Sequence, residues 1–240
     1  MDDYGPLVAR AYASYRPPLH PPILGSVLDR CYQRGLDYGC GTGQSALALA
    51  DYCREVVAFD RSAAMLELAT PSPRVHYLPL VDSGLPVLRG HVDLLTLAGV
   101  LPYCKSQRLL DQLLAVCRPG ARIIVYDFDC TLLSGDDWIV PQATTGTVPY
   151  DHALDFDGLD TSGLQRVTKR ERTVTLDLSV EQLAWLALAD AGAMRFFSRG
   201  LGAEGLVSRV RARLRTHYCI DTTIPITFAT YLTVYQVDRR

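Results

Sequence analysis

The stretch Leu36-Asp37-Tyr38-Gly39-Cys40-Gly41-Thr42-Gly43-Gln44 decides the fold, because three alternating glycines turn a short extended segment into a helix. Side chains at those glycines would keep a ligand away from the backbone. Next along the chain, Val56-Val57-Ala58-Phe59-Asp60 is a second apolar strand, and it ends on a carboxylate. Lying beside the first strand, it would present that acid to a ribose. The two stretches together mark a site for a nucleoside-type cofactor.

What the turn lacks narrows the cofactor. A dinucleotide fingerprint needs glycine at its first, third and sixth positions so that a pyrophosphate can rest on the helix N-terminus, and the sixth position counted from Gly39 is Gln44. A phosphate-cradling loop would need Lys before Ser45, where Gln44 stands, and glycine where Tyr38 stands. Asp37, just ahead of the turn, repels phosphate and suits a ligand that carries an ammonium group.

These residues resemble motif I of the class I S-adenosylmethionine-dependent methyltransferases, and the similarity continues along the chain. Phe59-Asp60-Arg61-Ser62-Ala63-Ala64-Met65-Leu66 is similar to the family's second motif. Val75-His76-Tyr77-Leu78-Pro79-Leu80-Val81-Asp82-Ser83-Gly84-Leu85-Pro86 resembles the third strand and its adenine-binding loop. Val92-Asp93-Leu94-Leu95-Thr96-Leu97 reads as the fourth strand, and Leu114 to Val125 resembles the helix, Pro-Gly turn and fifth strand that follow. The resemblance implies S-adenosylmethionine as cofactor and S-adenosylhomocysteine as product. It implies that Gly39, Cys40 and Gly41 approach the cofactor, that Asp37 helps hold its amino group, and that Asp60 holds both ribose hydroxyls. Arg61, Val81 and Asp82 would border the adenine, and Leu97 of the fourth strand would join the cofactor-binding set. Tyr12-Ala13-Ser14-Tyr15-Arg16-Pro17 resembles the N-terminal Tyr-x-x-x-Arg-Pro stretch of trans-aconitate-methyltransferase-like proteins, which folds over the cofactor pocket and would add Tyr15 and Arg16 to the binding set. An ordinary N-terminal helix packed on the sheet is the alternative.

Composition agrees with a folded α/β enzyme. At 240 residues, 48% of them hydrophobic and with a formal net charge of −2, the chain can form one large domain. No basic excess exists to drive phosphate contacts, so a nucleic-acid partner is not expected. Of 24 basic residues only Lys105 and Lys169 are lysines, a skew that reads as coding bias. No run approaches the ~18 apolar residues of a spanning helix, and Met1-Asp2-Asp3-Tyr4 has no signal character, so a cytoplasmic protein without a membrane partner is expected. Seven scattered cysteines, never spaced as Cys-x-x-Cys, argue against a disulfide framework and a zinc site. Asp127, Asp129, Asp136 and Asp137 have ordinary loop spacing, and no metal is expected.

The expected architecture is α/β: a Rossmann-like, doubly wound, seven-stranded, mostly parallel sheet with the last strand antiparallel and helices on both faces. Strands near 35–38, 55–59, 74–78, 92–97 and 121–127 alternate with helices, as βαβ units require. Residues 172–178 alternate like a strand, Ser179 to Gln182 has capping-box spacing before a helix ending near Gly192, and strands at about 194–198 and 227–237 complete the sheet. Arg16-Pro17-Pro18 and Pro21-Pro22 are expected to interrupt any early helix. The whole, 1–240, reads as a single methyltransferase domain. An N-terminal lid segment covers 1–30, the cofactor core 31–130, a substrate-lid insertion 131–178 and the C-terminal part of the sheet 179–240. Helix 206–215 has an apolar stripe and an arginine-rich solvated face.

The function implied is transfer of a methyl group to an O, N or C nucleophile of a small-molecule acceptor. His152 in the insertion is the candidate general base, with His20 second, and Tyr103 is the other candidate catalytic residue. Leu101-Pro102-Tyr103 departs from the Asp/Asn-Pro-Pro-aromatic motif of enzymes that methylate nucleic-acid bases. A protein of the same fold that binds S-adenosylmethionine but catalyses a cyclisation, or only binds a partner, is the alternative. Gln44 disfavours a nicotinamide oxidoreductase. The acceptor and the oligomeric state are not readable from these residues.

Overall fold

The computed structural model describes residues 5–81, 84–130, 153–190, 194, 197, 203–216, 218 and 223–238. Its strands are β1 Tyr32–Tyr38, β2 Cys53–Asp60, β3 Val75–Pro79, β4 Val92–Ala98, β5 Cys117–Cys130, β6 Leu164–Leu178 and β7 Ile224–Val237. They form one sheet in the order β3-β2-β1-β4-β5-β7-β6. Strands β1 to β5 pair in parallel, and β7 runs antiparallel to both β5 and β6. The described helices are α1 Pro6–Ser14, α2 His20–Gly25, α3 Gln44–Ala50, α4 Ala63–Glu67, α5 Leu101–Cys104, α6 Gln107–Val116, α7 Val180–Ala189 and α8 Ala203–Arg215. Strand order reverses between β1 and β4, which is where doubly wound sheets take ligands at the strand C-termini.

Chain contacts divide the molecule into two compact units: Met1–Pro17, Asp129–Tyr150 and Arg172–Ala229 make one, and Pro18–Phe128, Asp151–Glu171 and Thr230–Arg240 the other. The second holds β1 to β4 and most of β5. Its centre is dry: Leu36, Val56, Ala58, Phe59, Leu94, Leu95, Leu97, Ile123, Ile124 and Val125 are all fully buried. The lack of in–out alternation in Val92–Leu97, buried throughout, has this cause, since a parallel strand covered on both faces has no solvent side. Register sets Asp37 opposite Ala58 on one side and Thr96 on the other, at the C-terminal edge.

In the same unit, segment 153–163 is fastened at several points. Asp155, buried at 3% exposure, accepts from Lys169 Nζ at 2.6 Å and from the Asp157 amide at 3.1 Å, with Lys105 Nζ at 3.7 Å. Burial alone would raise its pKa; the Lys169 and Asp157 hydrogen bonds and the two lysine charges outweigh that and lower it. Gln107 and Asp160 exchange hydrogen bonds at 2.8 and 3.2 Å, and the Phe156 amide donates to the Tyr235 hydroxyl at 3.0 Å.

In the first unit, α7 packs against α1 and α8. The capping box is present, with the Gln182 amide donating to Ser179 Oγ and the Ser179 amide to Gln182 Oε1. On α8, Leu206, Val207, Val210 and Leu214 are buried while Arg209, Arg213 and Arg215 are exposed, the amphipathic division expected.

Four expectations need correction. Pro21-Pro22 does not interrupt a helix; both lie in the first turn of α2, where the missing amide and fixed φ do no harm. Where a strand at about 194–198 is expected, the described residues Met194 and Phe197 are helical, and the Met194 amide donates to the Asp190 carbonyl at 2.8 Å; α7 itself ends at Ala189, short of Gly192. Strand β6 begins at Leu164, well before the 172–178 expected. Its first half, Gln165 to Glu171, carries no apolar alternation because it is an edge strand exposed on both faces and held by ladder hydrogen bonds. The Pro119-Gly120 pair lies within β5, where its pairing with β4 shifts register between Val92 and Leu94.

Candidate functional site

The glycine turn is anchored on the end of β2. Gly39 and Cys40 amides both donate to the Phe59 carbonyl, at 2.7 and 2.9 Å, and the Gly43 amide donates to the Cys40 carbonyl at 2.9 Å. Two of the glycines combine left-handed backbone with close approach. A Cβ on Gly39 (φ 77°) would lie 2.5 Å from Val100 Cγ2, and one on Gly43 (φ 95°) 2.3 Å from the Tyr77 hydroxyl. A Cβ on Gly41 would meet nothing within 4 Å, so that side of the turn is open for another molecule to approach.

Asp60 closes the turn from β2. Its Oδ2 accepts from the Gly41 amide and its Oδ1 from the Ser62 amide, both at 2.8 Å. A carboxylate has about four acceptor positions. Two remain, enough for a vicinal diol. Asp37 is built differently: it is fully buried, Oδ2 accepts from Ser45 Oγ at 2.5 Å, and Oδ1 from Thr96 Oγ1 at 2.7 Å. Burial raises its pKa to about 6, the two hydroxyls pull against that rise, and the Asp60 charge adds to it.

The remaining candidates lie as follows. Cys40 is buried in the turn, and burial pushes its thiol far up, with the Asp37 and Asp60 charges adding, so it is no thiolate nucleophile. Arg61 is exposed, beyond the acid. Val81 is 48% exposed and bridges to Gly84; Leu78, also exposed, precedes it by three residues, and the Leu80 amide donates to the Asp60 carbonyl. Leu97 is fully buried between Tyr38 and Val125, so its contribution is to the floor of the site. Tyr103 is exposed on α5, which follows the Gly99-Val100 corner packed on Gly39. Tyr15 and Arg16 belong to the other unit, where Tyr15 caps α1 and the Arg16 guanidinium sits 4.4 Å from the centre of the Tyr12 ring. Asp82 and His152 lie outside the described residues. His20 Nδ1 is 2.9 Å from the hydroxyl of fully buried Tyr126, and its ring meets Phe128 edge-on.

Three supporting residues escaped the sequence reading. Thr96 and Ser45 hold Asp37, and Tyr77 covers Gly43. Thr96 had a signal, being the polar residue in an otherwise apolar stretch of buried strand, at the level of Asp37. Tyr77 had none, because a tyrosine in a strand reads as ordinary packing.

The conserved pattern of the methyltransferase domain matches residues 36–125, β1 through β5. That stretch is similar to the methyltransferase domain, in keeping with the resemblance to class I S-adenosylmethionine-dependent methyltransferases. Among relatives of the methyltransferase domain, a demethylmenaquinone methyltransferase of Clavibacter sepedonicus is 35% identical over 101 residues, 40% of this chain and 41% of that protein. An uncharacterised methyltransferase of Mycobacterium tuberculosis is 29% identical over 114 residues, 47% of each chain. The chain spans about half the length, or less, of these curated relatives. In fold it is similar to a type II methyltransferase assignment from Anaeromyxobacter dehalogenans, with a TM-score of 0.61, 19% identity, and 94% and 98% of the two chains covered. It is also similar to the [4+2]-cyclase SpnF, with a TM-score of 0.57, 17% identity, and 92% and 81% covered. At such identities the likeness is one of fold, and the fold hosts more than one chemistry. The subtype with the Tyr-x-x-x-Arg-Pro stretch has no support from these matches.

Proposed function

We propose that this methyltransferase domain binds S-adenosylmethionine at the C-terminal ends of β1 and β2 and methylates an O, N or C nucleophile of a small-molecule acceptor. The observation that carries the reading is Asp60: a carboxylate at a strand end, fixed by two amides of the glycine turn and α4, with acceptor positions left for a ribose diol. Exposed Leu78 and Val81 beside it offer apolar surface to an adenine. Open space at Gly41 admits the nucleoside, and Asp37 supplies negative charge beneath the amino-acid end. The residues therefore fit the cofactor. Bound there, S-adenosylmethionine supplies a methyl group on positively charged sulfur, ready for in-line displacement.

The chain's own part is chiefly positioning and exclusion of water. Asp82 would add an acceptor at the adenine, and His152 would take a proton from acceptors that must lose one. Tyr103, exposed beyond the corner at Val100, would face the acceptor. Segments 1–30 and 131–178 would set which acceptor enters.

Calorimetric titration with S-adenosylhomocysteine tests the binding half: the wild type binds, and Asp60→Asn weakens binding at least tenfold, since a hydrogen bond to a charged acceptor is worth about 1.5–3 kcal/mol. No heat with the wild type ends the reading. Incubation with S-adenosylmethionine and a metabolite panel, read by mass spectrometry, tests the reaction: an acceptor heavier by one methyl supports transfer, and an isomer of unchanged mass supports the cyclisation alternative.

A further inference from the structure

Tyr77 sits in β3 opposite Ala58 of β2, one residue before Leu78. Its hydroxyl donates to the Thr70 carbonyl at 2.9 Å, and the Thr70 amide donates to the Thr42 carbonyl at 3.2 Å. That carbonyl belongs to the Thr42–Gly43 peptide, whose amide donates to the Cys40 carbonyl at 2.9 Å. Both ends of this peptide plane are held, and the outer end is held through Thr70 by Tyr77. The ring also covers Gly43: a Cβ there would come within 2.9 Å of Cζ and 3.0 Å of Cε1. Gly43 is the left-handed residue from which α3 starts. Burial raises the Tyr77 hydroxyl to about 12, with the Cys40 and Asp37 charges adding, so it keeps its proton and remains a donor at neutral pH.

We propose that Tyr77 is a positioning residue of the cofactor site, its ring and hydroxyl holding the Thr42–Gly43 peptide in the left-handed turn on which the nucleoside is received. The proposal rests on the cofactor reading given above. A tyrosine that merely packed would influence stability and leave binding alone. Here the hydroxyl bond lies on the exposed side, where water replaces it when it is lost, while the orientation of the turn depends on it.

The test is calorimetric titration of the full chain with S-adenosylhomocysteine, alongside thermal melting, for wild type, Tyr77→Phe and Tyr77→Leu. Tyr77→Phe keeps the ring on Gly43 and drops the relay. It is expected to weaken binding roughly 3- to 10-fold, the effect of one neutral hydrogen bond, with melting temperature unchanged. Tyr77→Leu, which uncovers Gly43 as well, is expected to weaken binding further than Tyr77→Phe. Wild-type affinity in both variants overturns the proposal, as does affinity that falls only in step with melting temperature. A wild type that binds no S-adenosylhomocysteine is a different failure: the cofactor reading falls, and the proposal with it.

Discussion

Replacing Asp37 with Asn separates the structural burden of this carboxylate from its use. Its pKa stands at about 6 against an ordinary 3.8, raised mainly by burial. Between those values the folded protein binds a proton that the unfolded chain has released. Stability from this group therefore falls as pH rises from about 4 to 6 and stays at its lower level above that. The full difference is about 3 kcal/mol. Asn carries no charge at any of these pH values, and the Ser45 and Thr96 hydroxyls can rotate so that one donates to its carbonyl and the other accepts from its amide. Asp37→Asn is expected to match the wild type near pH 4 and to exceed it by about 3 kcal/mol at pH 8, roughly 6–12 °C in Tm for a chain of this size. Binding should move the other way. On the proposed role of Asp37 beneath the amino-acid end of the cofactor, loss of its charge is expected to weaken S-adenosylmethionine binding by roughly 10- to 150-fold. Urea unfolding at both pH values and calorimetric titration at pH 8 measure the two halves. A variant less stable than the wild type at pH 8 refutes the buried-charge argument, and unchanged affinity refutes the ammonium role.

Gly39→Ala is expected to lose cofactor binding and about 2–4 kcal/mol of stability, because the new methyl meets Val100 and the backbone is left-handed; urea unfolding should show partial recovery on adding Val100→Ala, and full tolerance of Gly39→Ala alone would contradict the packing described. Asp155 behaves oppositely to Asp37: its pKa is lowered, so its contribution is present above its ordinary value of 3.8 and fades as pH falls through the folded value. Asp155→Asn should therefore melt lower than the wild type at pH 7, with the gap narrowing in acid; a gap independent of pH would argue against the ion cluster. Tyr126→Phe removes the hydroxyl 2.9 Å from His20 Nδ1 and is expected to shift the nitrogen-15 resonances of the His20 ring; unchanged spectra would rule the bond out.

The cofactor half of the fold was legible because three signals coincide there: glycines at alternating positions, apolar strands at βα spacing, and an acid ending β2. Beyond Asp129 the signals thin out. Strand β6 is an edge with both faces wet, so burial wrote no period into Gln165 to Glu171. Met194 and Phe197 lie in a short, mostly apolar run, and such a run reads equally as strand or helix. Asp37 and Asp60 look alike in sequence, two acids at strand ends. Only the fold separates a carboxylate sealed by two hydroxyls from one partly open to a ligand. Residues that act by contact with the turn, such as Tyr77, leave no trace until β3 is laid beside β2.

Both lysine side chains of the chain end at one acid: Nζ of Lys105 and Nζ of Lys169 flank Asp155, with side-chain exposures of 27% and 47%. Amine-directed reagents, whether acetylating, reductively alkylating or fluorescent, thus find only this corner among the side chains. Differential labelling of the two amines becomes a direct gauge of whether that corner is closed, a reporter already written into the native polypeptide.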